Sequence, residues 1–145
     1  IYYGTEIAMT STGDHGELRK DFPGGWADDE KNAFTGNGLD QIELEAQDFL
    51  KKLLNWRKSN LAVAKGDLIH YPVQDGVYIY FRRYRDDMVM VIINNNDRTN
   101  TVYPDHFNET IKGMTKGINI MNDKIHYLSR DIDIPGRSAM VLEIH

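Results

Sequence analysis

The hydrophobic period of this chain changes once, at Gly66, and the change restricts what it can fold into. Before it, Ile42, Ala46, Phe49, Leu53 and Trp56 recur at steps of three and four, one apolar stripe at helical period. Leu50 and Leu54 widen the stripe, so the helix calls for burial against a large partner. Asp40 followed by Glu43 is a capping-box pattern, and Arg57 and Lys58 sit where cations complement a helix C-terminus. These signals predict a helix over residues 40–60. After Gly66 the period falls to two. Short runs at 68–71, 77–84, 88–93, 99–103, 117–121, 124–128 and 138–144 alternate as strands do, divided by turn signals such as Gln74-Asp75-Gly76, Asn122-Asp123 and Pro135-Gly136. Seven short strands with tight turns point to an antiparallel β-sandwich. One short helical turn is expected within 105–111.

The first 39 residues follow neither period. Residues 1–4 are apolar and aromatic and end in glycine, which reads as a buried strand running into a turn. Residues 5–39 then form a loop rich in glycine, with Phe22, Trp26 and Phe34 interleaved. Structureless loops much beyond about 15 residues are usually functional or disordered. Disordered segments are poor in aromatics, so the composition here points to function.

The 145 residues carry a net charge of −5, the wrong balance for a nucleic-acid partner. There is no cysteine, which excludes disulfides, thiolate nucleophiles and cysteine metal sites. The longest apolar run, 88–93, is far too short to span a membrane, and no secretory signal pattern opens the chain. Residue 1 is Ile rather than Met, so a processed product or a piece of something longer is expected. Absence of cysteine fits a bacterial cytoplasm or periplasm equally.

Few residues suggest chemistry of their own. The five histidines lack ligand spacing, and no Asp-x-Asp calcium loop, Gly-x-Ser-x-Gly nucleophile motif or phosphate-binding glycine loop is present. Neither a metal nor a cofactor is therefore expected. Tyr78, Tyr80 and Tyr84 share one face of a period-two strand, opposite Val77, Ile79 and Phe81. That face reads either as a sugar-stacking platform or as ordinary cross-strand aromatic packing, and the packing reading is favoured. The carboxylates of the loop, among them Glu6, Asp14, Glu17 and Asp21, are by themselves solvated side chains.

Three strings carry a resemblance. Residues 1–6 read Ile-Tyr-Tyr-Gly-Thr-Glu, residues 22–26 read Phe-Pro-Gly-Gly-Trp, and residues 53–58 read Leu-Leu-Asn-Trp-Arg-Lys. Together they resemble the end of the catalytic barrel in the α-amylase superfamily, glycoside hydrolase family 13, and more narrowly its cyclomaltodextrinase and neopullulanase branch. The first string is similar to the eighth barrel strand, the second to the loop after it and the third to the end of the eighth helix. The β-rich remainder has the length and place of that family's C-terminal sandwich. The resemblance thus implies a mainly β chain. Residues 1–66 would be the last strand, loop and helix of a (β/α)₈ barrel, and residues 67–145 a C-terminal antiparallel β-sandwich.

The resemblance also implies a function. Such enzymes hydrolyse α-1,4-glucosidic bonds of cyclodextrins, pullulan or maltooligosaccharides with retention, using two carboxylates about 5–5.5 Å apart. In the family these come from earlier strands, so this chain would carry no catalytic residue and be inactive alone. It would form a wall of the substrate cleft, because barrel active sites are built from the loops after the strands. The substrate-binding positions that match are Asp14, Arg19 and Lys20. For Arg19 the alternative is an ion pair with Glu17 or Asp21. Trp26, behind Gly24 and Gly25, is expected to plug the loop. The implied partners are an α-glucan or cyclodextrin and the remainder of the barrel, with no nucleic acid and no membrane; the wide apolar stripe of the helix adds that the chain either self-associates or folds this helix onto its own sandwich. Two other functions fit the residues: a stand-alone carbohydrate-binding module using the tyrosine face, and a purely structural domain.

Overall fold

A computed structural model describes all 145 residues, apart from the side chain of Leu18. The chain divides into two compact units, Ile1–Asn55 and Trp56–His145. Helix α1 (Gln41–Ser59) runs from the end of the first into the beginning of the second.

In the first unit, Ile7, Ala33 and Leu39 are buried together, with Met9, Phe22 and Leu44 packed on them. The expected strand at residues 1–4 is not formed. Among the described residues no strand lies beside it to take its backbone groups, and the chain turns instead: the Thr5 amide donates to the Tyr2 carbonyl at 3.2 Å, and a 3-10 turn follows at Thr5–Ile7. The expected capping box is present. The Glu43 amide donates to Asp40 Oδ1 at 3.0 Å, and Glu43 Oε2 accepts from the Asp40 amide at 2.8 Å. Lys31 ties the loop to this turn through Glu43 at 2.7 Å, and that hydrogen bond holds the ammonium's pKa above its ordinary value. The apolar stripe of α1 is open at Ile42, 72% exposed, and at Phe49, 45% exposed.

The second unit begins with the last turn of α1. Asn60 ends that helix and caps a second one, α2 (Leu61–Lys65), by accepting from the Val63 amide at 2.9 Å. Gly66 then passes so close to the sheet that a Cβ would stand 2.6 Å from the Arg83 carbonyl oxygen, which only glycine avoids. Eight strands follow: β1 (Asp67–His70), β2 (Val77–Tyr84), β3 (Asp87–Asn94), β4 (Asn100–Val102), β5 (Lys116–Asn119), β6 (Ile125–Tyr127), β7 (Ile132–Ile134) and β8 (Ser138–Ile144). Strand β7, absent from the seven expected, is a three-residue Ile-Asp-Ile segment ending at Pro135. The expected helical turn is the 3-10 segment Pro104–Phe107.

An antiparallel sheet in the order β1-β2-β3-β8-β5-β6 faces a two-stranded sheet, β4-β7. Between them lie Ile79 and Phe81 of β2, Met90 and Ile92 of β3, Leu142 and Ile144 of β8, and Val102, Ile132 and Ile134 of the smaller sheet. The other face of the large sheet is also covered at its centre. Val89 and Val91 are buried under Ala62 of α2, with Trp56, Val63, Tyr80 and Tyr84 around them. Burial on both faces accounts for the unbroken apolar run of β3, where a half-exposed strand would alternate.

Two polar clasps hold these layers. Glu143 Oε1, on β8, accepts from Trp56 Nε1 at 2.7 Å and from Asn60 Nδ2 at 3.1 Å. Asn94 is 2% exposed; its amide donates to the carbonyls of Arg98, Ile134 and Pro135 at 2.9–3.1 Å, while its Oδ1 accepts from the Asn96 amide at 3.0 Å. A buried amide so well satisfied joins the end of β3 to β7 without a desolvation penalty.

Candidate functional site

The loop after the first turn is built by short-range hydrogen bonds from its own acids. Asp14 Oδ1 accepts from the amides of Gly16 at 2.9 Å and Glu17 at 3.2 Å, which sets up the 3-10 turn Glu17–Arg19. Gly13 just before it passes so close to this turn that a Cβ there would stand 2.6 Å from Glu17 Cβ. Asp29 Oδ2 does the same for Gly24 at 2.7 Å and Trp26 at 3.0 Å. The Ala33 amide then donates to the Pro23 carbonyl at 3.0 Å, bringing the loop back on itself. Thirty-five residues with little regular structure thereby acquire a fixed course.

Asp14, Arg19 and Lys20 are all exposed on this loop. Asp14 is a turn-former through one of its two oxygens. Among the described residues, neither Glu17 nor Asp21 comes within ion-pairing distance of Arg19, so the loop-stapling alternative is not realised. The Lys20 carbonyl accepts from the Tyr3 hydroxyl at 3.2 Å. Lys20, Tyr3, Glu17 and Met9 line a cavity of about 190 Å³, small and charged at its edge. An ammonium, a carboxylate and phenol rings around a small hollow offer both hydrogen-bond donors and acceptors to a hydroxylated ligand.

Trp26 corrects one expectation. Its indole is 68% exposed, and Nε1 donates to Asp21 Oδ2 at 3.2 Å. It does not plug the loop. One oxygen of Asp29 accepts from both the Gly24 and Trp26 amides, and Phe22 packs in the core of the unit, 5.5 Å from the Phe34 ring.

The tyrosine face of β2 is occupied. Tyr80 and Tyr84 pack against the α2 layer, and the Tyr78 and Tyr80 rings lie 5.6 Å apart, tilted by 37°. Burial raises the Tyr80 phenol above its ordinary pKa, with Tyr78 adding to the effect. Arg82, between them on the strand, donates to the Val63 carbonyl at 3.1 Å and so closes the C-terminal end of α2. At Tyr80 and Tyr84 this face is a packing surface, formed by a helix laid over the strands rather than by the cross-strand aromatic packing expected from the sequence. Sequence reasoning missed Glu143 and Asn94, whose partners lie 83–87 and 40–41 residues away for the bonds that matter. No local pattern marks them.

Among the described residues, no group of three or more His, Asp or Glu side chains is placed to hold a metal ion, and no helix is long and apolar enough to cross a membrane.

Comparison with known proteins completes the description. The profile of the cyclomaltodextrinase C-terminal domain matches residues 68–143. The cyclomaltodextrin glucanotransferase of Geobacillus stearothermophilus is 30% identical over 100 residues, 69% of this chain and 12% of that protein. An α-amylase of Niallia circulans is 32% identical over 96 residues, 66% of this chain and 15% of that protein. The chain thus spans 12–15% of the length of these relatives. In structure, the α-amylase of Geobacillus thermoleovorans, crystallised with acarbose, superposes with a TM-score of 0.71 at 22% identity, over 99% of this chain and 29% of that one. At that identity the likeness is one of fold.

Proposed function

The chain belongs to the cyclomaltodextrinase C-terminal domain family, and we propose that it is the C-terminal portion of an α-glucan hydrolase acting on α-1,4-glucosidic bonds with retention. In this reading residues 1–66 are the last loop and helix of a (β/α)₈ barrel, with Trp56 and α2 at their end covering the sheet, and residues 67–145 are the strands of the C-terminal sandwich. The catalytic carboxylates belong to the rest of the barrel. The loop forms one wall of the cleft, where Asp14, Arg19 and Lys20 meet a glucose unit, Asp14 also holding the turn that carries them through its Oδ1.

One observation carries the assignment to the loop. Arg19 stands exposed, with no acidic side chain among the described residues within ion-pairing distance, on a turn fixed by two hydrogen bonds to Asp14. An unpaired guanidinium on a stiff loop is suited to paired hydroxyls, since its fork of donors is rigid and always charged. For the sandwich, a structural role is favoured over sugar stacking on the tyrosines, because α2 lies on that face.

The test is Arg19→Ala in the whole enzyme, assayed on β-cyclodextrin and on p-nitrophenyl maltoside with a thermal melt alongside. Loss of a charged hydrogen bond costs about 1.5–3 kcal/mol, or about a 10- to 150-fold fall in kcat/KM. The fall is expected on β-cyclodextrin and to be smaller on the short glycoside. Equal losses on both with a lowered melting temperature would assign Arg19 to the scaffold, and an unchanged β-cyclodextrin rate would remove it from the cleft.

A further inference from the structure

The sandwich has a cavity on the side away from the tyrosine face. It is about 330 Å³, within the range of small-molecule sites. Its floor is aromatic. Tyr71 meets Phe107 edge-on with ring centres 4.7 Å apart, and the Tyr71 hydroxyl is tied to Thr110 Oγ1 at 2.6 Å. Pro72 ends β1 here and the chain turns through Gln74 and Asp75, which form one rim. The other rim is Tyr103, 47% exposed, with the His106 ring 5.5 Å away and tilted by 43°.

The polar groups of this rim are not used by the fold. Among the described residues, the side chains of Gln74, Asp75, Tyr103 and His106 make no hydrogen bond or ion pair. Asp75 is held at a φ of +48°, a left-handed conformation that few side chains adopt, and Asn96 Nδ2 fixes its carbonyl at 2.6 Å. An aromatic floor beneath one carboxylate, one primary amide, one imidazole and one phenol is a specific combination. All four polar groups are exposed at the rim, where a hydroxylated ligand can bond them directly and an apolar one would use none of them. An anion meets the Asp75 carboxylate, and a bare metal ion lacks the three acidic or imidazole groups it would need. A pyranose fits: its C–H face lies on an aromatic ring, and its ring of hydroxyls meets the amide and carboxylate.

We propose that the cleft between Gln74-Asp75 and Tyr103-His106 is a saccharide-binding subsite, separate from the loop of the first unit, that holds a neutral pyranose chain. That the sugar is an α-1,4-glucan rests on the function proposed above; the pocket chemistry does not. The affinity expected is weak, with a Kd of about 1 mM. The site gives the sandwich a grip on a polymer whose scission takes place elsewhere.

The experiment is an amide chemical-shift titration of the 145-residue chain with maltohexaose and, separately, cellohexaose. Saturable shifts at 74–76 and 100–107 with maltohexaose, weakened at least about tenfold in Tyr103→Ala and in Gln74→Ala, are the expected result. Asp75→Asn, which tolerates the left-handed backbone, should weaken binding while leaving the spectrum folded. Tyr103→Phe should retain most of the affinity, since the ring is kept. Saturation by cellohexaose alone at these amides would uphold the subsite and count against the α-glucan reading. Shifts confined to residues 13–26, affinity unchanged by Tyr103→Ala and Gln74→Ala, or no shift with either sugar at about tenfold the expected Kd would overturn the proposal.

Discussion

Glu143 does more for the second unit than its half-buried position on β8 suggests. One carboxylate oxygen accepts from both the Trp56 indole and the Asn60 amide, so a single atom holds the end of one helix and the cap of the next. In Glu143→Ala both donors lose a charged acceptor in a partly dry layer. A stability loss of about 1.5–3 kcal/mol is expected, read as a lowered urea midpoint followed by Trp56 fluorescence. Glu143→Gln keeps an acceptor oxygen and should recover part of the loss. His126, on the edge strand β6, responds to pH. Burial, with Lys124 close by, lowers its imidazole pKa, and Nε2 is buried with no hydrogen-bond partner. Protonation therefore favours the unfolded chain. The stability tied to a neutral His126 is complete above its unfolded pKa of about 6.5 and falls as the pH drops through the lower folded value. Urea midpoints at about pH 7.5 and pH 5 should differ more for the natural chain than for His126→Gln, which cannot titrate. Equal differences would remove His126 from the acid response.

Among the elements, α1 shows how far local chemistry determines structure. Asp40 and Glu43 exchange hydrogen bonds as their spacing in the sequence requires. Asp40→Ala should cost about 1 kcal/mol, and faster amide exchange confined to the first turn of α1 is the signature that separates fraying from general destabilisation. Long strands were equally legible, since burial alternates from Val77 to Arg82 in β2 and from Met140 to Ile144 in β8. Legibility failed where a segment depends on something distant. α2 has five residues, too few to show a period, and its place over Val89 and Val91 is what makes the tyrosine face a packing surface. β7 is recognisable only through β4, its partner in register from Thr101 and Asp133. Residues 1–4 have the composition of a buried strand without a neighbour to pair with, and backbone hydrogen bonding outweighs composition. For the loop, the turn acids Asp14 and Asp29 were readable as carboxylates, but their backbone partners, and with them the outward position of Trp26, were not.

For the molecule as a whole, the open stripe of α1 has a consequence in solution. Ile42 and Phe49 stand 72% and 45% exposed, with Trp26 and Phe34 elsewhere in the same unit at 68% and 75%. Soluble monomers rarely present contiguous apolar patches beyond a few hundred Å². The 145-residue chain is expected to self-associate as its concentration rises. Sedimentation velocity should show the shift, and Ile42→Lys with Phe49→Lys should return a monomer with an unchanged far-ultraviolet spectrum. A natural chain that stays monomeric over the whole concentration range would mean that the stripe is covered by other means.

The clasp at Glu143 bears, finally, on where the sandwich can be cut for transplantation. The segment recognised by family likeness starts at Leu68, yet the layer over Val89 and Val91 is furnished by Trp56, Ala62 and Val63. A graft beginning at residue 67 would carry the strands and leave behind their lid: two valines would face water and a carboxylate would stand without its donors. One beginning before Trp56 takes the lid along. In recombining such modules, the portable piece is the strand set together with the dozen residues ahead of it.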